Sequence, residues 1–370
     1  MRATSRRLWR RDPGIGAEVD TVVGMARHVA RRRSGLTLPA LVVIALAAGA
    51  VGYTQLRSDW PAPGRTLGAV VPELAAGANH GARTAAPYAG LGAWVDGLDY
   101  GVAYQKKGVA PPITPDVVDD MADHGVKTLF LQAAREDTRT PGGIVDPATA
   151  AAFLLRAHRR GMAVVAWYLP RFRNPAYDLE NLQRLAQFSV LGHRFDGIAV
   201  DIEFTDDVPD TDARNALLVD LSQKLRASTK GDALGAIVLP PVQTEVVNTS
   251  LWPDFPWTTL RPLYDVWLPM SYWTFRSQAS GYADGYAYNE ESTRRLRNDL
   301  GDGAAMVHGI GGVGDKVTAE TLDAFGRSLA ATGSIGGSIY DWNSMTATSR
   351  DEMAKEFAPG GAAATLPKPR

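Results

Sequence analysis

The sequence predicts a chain of the α/β class, folded as one (β/α)8 barrel (a TIM barrel) that is preceded by a single N-terminal transmembrane helix. Three observations lead there. Eight short apolar runs recur along the chain, helical stretches with start and stop signals lie between most of them, and one uncharged apolar segment follows a basic N-terminus. The chain of 370 residues is enough for one large barrel and generous for two unrelated catalytic domains.

The N-terminal elements come first. Residues 1–34 hold nine arginines against Asp12, Glu18 and Asp20, a basic cytoplasmic segment of about +6 that leaves about −7 for the remainder of a chain of net charge −1. A mildly acidic globular part argues against nucleic acid as a partner. Residues 35–56 (GLTLPALVVIALAAGAVGYTQL) carry no charge, and a helix of that length crosses the roughly 30 Å hydrocarbon core. Arg31, Arg32 and Arg33 lie just before it, so the positive-inside rule puts the N-terminus in the cytoplasm and everything after Arg57 outside. A cleaved signal peptide, with Ala48-Gly49-Ala50 at the cleavage site and a secreted product, is the alternative. Apolar residues all round the segment disfavour an amphipathic surface helix. Residues 57–95, rich in Gly, Ala and Pro, read as a linker, and 359–370 as a disordered tail, which places the barrel at 96–358.

The strands are assigned to 99–105 (DYGVAYQ), 126–133, 161–170, 195–204 (FDGIAVDIEF), 233–241, 264–273 (YDVWLPMSYW), 305–313 and 334–342 (SIGGSIYDW). Each is short and rich in Val, Ile, Leu or aromatic residues, as a strand buried on both faces should be. Thr114-Pro115 before 116–124, and Asp146-Pro147 before 148–160, mark helix starts, and Gly125 and Gly161 mark the ends. Further helices are expected at about 179–191, 211–227, 289–300, 318–331 and 349–357, with an irregular fifth connection at 242–263. An open doubly wound sheet would have five or six strands and a glycine-rich phosphate turn, which Gly311-Gly312 and Gly336-Gly337 do not supply.

The chemistry of such a barrel sits at the C-terminal ends of its strands. In FDGIAVDIEF, with Ile198, Val200 and Ile202 packed outward, Ala199, Asp201 and Glu203 point into the barrel. Two neighbouring buried carboxylates raise the proton affinity of one, which suits a general acid. The plainer reading is a strand-end ion pair with Arg135, Arg171 or Arg276. Tyr104, Gln132, Tyr168, Arg171, Trp273 and Trp342, with Gln105, Trp167, Gln243 and Tyr272, form an aromatic and amide-rich set at the strand ends, and sugars stack on such rings and hydrogen-bond to such groups. The absence of cysteine removes thiolate nucleophiles and Cys-based metal sites. No H-x-x-x-H or G-x-S-x-G occurs, so His28, His80, His124, His158, His193 and His308 read as surface or core groups.

FDGIAVDIEF resembles the fourth-strand motif D-G-x-D-x-D-x-E of glycoside hydrolase family 18, the chitinase-like TIM barrels. Asp196, Gly197, Asp201 and Glu203 match it, while Ala199 replaces the middle Asp. Met270-Ser271-Tyr272 is similar to the family's M-x-Y-D, with Trp273 in the Asp position, and Trp342 stands where the family has the Trp beneath the reacting sugar. The third-strand S-x-G-G pattern is absent. The resemblance implies Glu203 as catalytic acid, Asp201 as the residue that positions the substrate's acetamido group and Tyr272 as the stabiliser of the cyclised intermediate. It also implies an N-acetylhexosamine polymer as substrate, with no metal or organic cofactor. Two other readings stay open: a two-carboxylate glycosidase in which Glu203 works with Glu245 or Asp341, and a carbohydrate-binding pseudoenzyme, for which Ala199 and Trp273 argue.

Overall fold

A computed structural model describes residues 83–367. The basic segment, the apolar segment 35–56 and residues 57–82 of the linker lie outside the described residues, and among those described no helix is long and apolar enough to cross a membrane. Eight strands make the barrel: β1 (Gly90–Val95), β2 (Thr128–Gln132), β3 (Ala163–Tyr168), β4 (Gly197–Ile202), β5 (Ala233–Val238), β6 (Val266–Pro269), β7 (His308–Val313) and β8 (Gly336–Tyr340). They pair in parallel in the order β6-β5-β4-β3-β2-β1-β8-β7. Parallel bridges from Trp267 to Val307 and from Met270 to Ile310 join the two ends, so the sheet closes on itself.

Around it run α1 (Val117–Asp123), α2 (Pro147–Arg159), α3 (Pro175–Gln187), α4 (Thr211–Ser228), α5 (Gly285–Leu300), α6 (Ala319–Thr332) and α7 (Ala347–Phe357). Most start on a side chain that accepts from an otherwise unpaired backbone N–H: Asp146 from Thr149, Asn174 from Tyr177, Asp210 from Ala213, Asp284 from Ala287 and Thr346 from Ser349. Gly301 and Gly333, both at φ 60°, end α5 and α6 in the left-handed conformation. The fifth connection is irregular as expected, with short helical turns at Val242–Val247, Trp257–Leu260 and Arg261–Leu263.

Two sequence expectations fail. The first strand is Gly90–Val95, inside the stretch read as linker, while DYGVAYQ forms helical turns at Gly97–Tyr100 and Val102–Tyr104. The small residues of β1 are a packing requirement: a Cβ on Gly92 would stand 2.6 Å from Phe130 Cε2 in the lumen. The C-terminal stretch is not a disordered tail over its described part. Its turn folds back on α7, with the Ala363 N–H donating to Glu356 O at 2.8 Å and the Ala363 side chain buried.

The lumen is filled from the bottom by Tyr88, whose hydroxyl lies 2.8 Å from Ile198 O and 3.1 Å from Ala233 O. Above it, His308 sits between Tyr88 O (2.8 Å) and Ser338 Oγ (2.9 Å), and the Trp94 indole, stacked on Phe130 at 4.3 Å, donates to the same Ser338 Oγ at 2.7 Å. His308 is thus a core group, as expected, and burial lowers its pKa to about 4. Gly197 and Gly235 make room for the Tyr88 ring; a Cβ on Gly235 would meet Tyr88 Cε1 at 2.7 Å and Leu268 Cδ1 at 2.9 Å. Gly235→Ala should therefore destabilise the barrel by about 1–3 kcal/mol in chemical denaturation, with part of the loss restored by adding Tyr88→Ala. An unchanged midpoint would contradict this packing.

Candidate active site

The C-terminal ends of β1, β4, β6 and β8 bring a group of acids and tyrosines together. Asp201 and Glu203 leave β4 on the lumen side, as the alternation predicts: a Cβ on Gly197, two pairs of residues earlier, would point at Tyr88, and Ile198 and Ile202 are buried between. Asp96 follows β1 directly, and its Oδ2 accepts from the Tyr340 hydroxyl of β8 at 2.5 Å. Tyr340 lies 5.9 Å from the ring of Tyr272, which follows β6. Asp99 and Asp341 complete the cluster, each placing a carboxylate oxygen within 4.8 Å of the others and of Asp96. Asp201 is 6 % exposed, and its Oδ1 has no hydrogen-bond partner among the described residues.

So many carboxyls in one buried site hold protons at unusual pH. Burial, then the charge of Asp96, pushes Glu203 up to about 7. Asp201 is raised well above the usual carboxylate range by burial, then by Glu203 and Asp96. Asp96 rises to about 7 through burial and Asp341, with the Tyr340 hydrogen bond and Arg135 pulling the other way. Asp99 rises to about 8 through burial, Asp96 and Asp341. Burial likewise raises Asp341. These groups bind more protons folded than unfolded between the ordinary carboxylate range and about pH 7–8, so their contribution to stability falls as pH rises through that window. Asp99→Asn keeps the acceptor for Asn343 and removes one such group. It should raise Tm by about 2–4 °C at pH 8 and by much less at pH 5, measured by thermal melts across that range. An equal gain at both values would contradict the charge argument.

Glu203 and Tyr272 line a small cavity with Leu239, Pro240, Gln243, Met270, Phe275, Arg276 and Tyr288. Its volume of about 10 Å³ is that of one water, too small for a sugar ring. The three carboxylates of Asp96, Asp99 and Asp341 are hard oxygen donors of the kind Ca²⁺ or Mg²⁺ accepts, and form a grouping among the described residues able to hold a metal ion.

The structure brings Glu203, Asp201 and Tyr272 together, and it separates several other candidates from them. Trp273 faces outward, 1 % exposed, against Phe325 of α6 and over Gly311 and Gly312 of β7. Tyr168 is also in the helix layer, donating to Asp178 of α3 at 2.6 Å. Trp342 packs between His124, at the end of α1, and Arg350 of α7. β8 ends at Tyr340 and Trp342 lies in the turn that follows, so Tyr340 rather than Trp342 is the β8 aromatic beside Tyr272. Gln132 accepts from the Gly97 N–H at 3.1 Å and from Arg135 at 3.3 Å, which fixes the turn after Asp96. Arg171 pairs with Asp207 at 2.7 Å over the Phe204 ring, and so ties the β3 and β4 loops together next to Glu203. Tyr104 belongs to a separate cavity of about 400 Å³ between the β1 and β2 loops, with Arg139 over its ring at 4.5 Å. Glu245 pairs with Arg295 of α5 at 2.9 Å, whereas Asp341 stands in the acid cluster.

Sequence reasoning missed Asp96, Asp99 and Tyr340. The first two follow a strand hidden by its glycines, and the third could have been found by counting alternate residues from Ser338.

No protein-family profile matches the sequence, and no curated protein matches it. Solved structures that it resembles include glycoside hydrolases, class V chitinases among them. A class V chitinase from Nicotiana tobaccum is 12 % identical, over 73 % of this chain and 99 % of its own, with a TM-score of 0.49. One from Pseudomonas fluorescens Pf-5 is 11 % identical, over 72 % and 98 %, with a TM-score of 0.49. The spore cortex-lytic enzyme SleL of Bacillus megaterium QM B1551 is 7 % identical, over 72 % of each chain, with a TM-score of 0.47. At such identities the likeness concerns the fold alone.

Proposed function

We propose that this chain is a glycoside hydrolase that cleaves an N-acetylhexosamine polymer in or beyond the cell envelope, held to the membrane by residues 35–56, with Glu203 as its general acid. The carrying observation is Glu203 itself: a carboxyl at the end of β4, titrating at about 7, beside Asp201 and over a cavity shared with Tyr272. In this reading Glu203 gives its proton to the glycosidic oxygen as the C–O bond breaks, and the substrate's acetamido oxygen bonds to the anomeric carbon. Asp201 Oδ1, buried and without a protein partner, accepts from the acetamido N–H, and the Tyr272 hydroxyl donates to the acetamido oxygen. Water then opens the ring, its proton returning to Glu203. Two displacements at one carbon give net retention. Proton NMR of the first product from a β-linked N-acetylglucosamine oligomer should show the β-anomer; the α-anomer would exclude this route and favour inversion by Glu203 with a second carboxylate such as Asp341.

The narrow cavity and Ala199 favour a second reading, a carbohydrate-binding barrel without turnover. Binding of the same oligomer with no cleavage at any pH from 4 to 8 would select it.

A further inference from the structure

β4, β5 and β6 stand side by side in register, with Ile202 opposite Val238 and Val238 opposite Pro269. The Met270 N–H continues the pairing, donating to Val238 O at 3.0 Å. Glu203, Leu239 and Met270, the residues that follow, therefore meet at one level, and all three line the small cavity beside Tyr272. Gln243 lines the same cavity from the connection after β5. Its backbone holds it there. Beyond Pro240 and Pro241 the chain enters a wide helical turn, Val242–Val247, in which the Asn248 N–H donates to the Gln243 carbonyl five residues back at 2.8 Å. Helical turns of that width are frequent at functional sites. The Gln243 N–H donates to Pro240 O at 2.8 Å, and Glu245 ties the turn to Arg295 of α5 at 2.9 Å.

Gln243 is 2 % exposed, and its Oε1 has no hydrogen-bond partner among the described residues. A buried amide oxygen is costly to leave without a donor, so this one is suited to a donor that comes from outside the chain. The size of the cavity decides which donor. At about 10 Å³ it admits one oxygen atom with its protons and excludes a sugar ring, and Glu203, Gln243 and Tyr272 are enough polar groups to hold a water. A water is what the proposed reaction needs in its second step, and it needs it beside Glu203, which by then has given up its proton.

We propose that Gln243 orients the hydrolytic water: its Oε1 accepts one proton of the water in hydrogen bonding, Glu203 accepts the other, and a lone pair of the water oxygen is left for the anomeric carbon. The inference rests on the glycosidase reading above. As the water oxygen bonds to the anomeric carbon, the proton on the Glu203 side passes to the carboxylate. The bond from that carbon to the acetamido oxygen breaks, and its electron pair returns to the acetamido group. Gln243 exchanges no proton in the step; it fixes the direction of attack.

The test is the partition of products formed by the full chain from a concentrated N-acetylglucosamine oligomer. A second oligomer can take the place of water as acceptor and gives a product longer than the substrate. Gln243→Met fills the same space without an acceptor atom, so water loses its orientation, whereas a sugar acceptor is held by its own ring. The ratio of transfer to hydrolysis products, read by mass spectrometry, should rise about tenfold, the worth of one hydrogen bond to the attacking group. An equal loss of both products, with the ratio unmoved, would mark a structural role and overturn the inference while the glycosidase reading stands. A second measurement needs no turnover. A high-resolution crystal structure of the full chain should show one ordered water within hydrogen-bond distance of Gln243 Oε1 and of a Glu203 carboxyl oxygen, and that of Gln243→Met should lack it. A dry cavity, a protein donor on Oε1, or a sugar hydroxyl in the cavity of the oligomer complex would overturn the water site whether or not the chain cleaves a glycan. A wild type that shows the water but cleaves nothing would sink the glycosidase reading, and the role of the water with it.

Discussion

Glu203→Gln should lower turnover by about 10²–10⁴ while the affinity for the same oligomer changes little. Glutamine keeps the size and the hydrogen-bonding capacity of the side chain at the end of β4 but has no proton to give to the leaving oxygen. Because Glu203 titrates at about 7 in the folded chain, the wild-type rate should fall above neutrality as the acid form is lost, and that limb should be absent from the residual activity of the variant. Steady-state kinetics alongside calorimetric binding checks both parts. A variant that turns over at the wild-type rate would remove Glu203 from the chemistry.

The second large effect is expected at Asp201. Asp201→Asn replaces one buried oxygen by an amide, so the acetamido group loses an oriented partner at the moment its oxygen bonds to the anomeric carbon. Turnover on N-acetylated oligomers should fall by about 10²-fold, an effect of the size seen when one polar group that stabilises a reacting centre is removed. The dependence on substrate is the discriminating part. A fully deacetylated oligomer has no acetamido oxygen to bond to the anomeric carbon and should be cleaved by neither the wild type nor Asp201→Asn; its cleavage by the wild type at the rate of the acetylated oligomer would exclude the substrate-assisted role of Asp201.

The centre of the site was legible because a strand has a period of two. In FDGIAVDIEF the alternation alone sends Asp201 and Glu203 to the lumen, and the end of a barrel strand is where reactive groups gather. The same period could have removed Trp273 and Tyr168 from the candidates: each adjoins a residue that faces inward, so each faces the helices, and Gly311 and Gly312 exist to admit the Trp273 ring. Trp342 was beyond such counting, because β8 ends at Tyr340 and Trp342 lies in the turn after it. β1 was hidden for a different reason. Its Gly92 is small because Phe130 and His308 occupy the space a side chain would need, and that is a property of strands far away in sequence. Losing β1 meant losing Asp96, and with it the carboxylate on which the other acids converge.

The most direct measurement of the central claim is incubation of the full chain with chitin oligosaccharides, peptidoglycan and other envelope glycans, with the products read by mass spectrometry. The account predicts shorter oligomers cut at N-acetylhexosamine linkages by the wild type and none from Glu203→Gln. Intact glycans after prolonged incubation with a wild-type chain that binds them would contradict it and leave a carbohydrate-binding barrel without turnover.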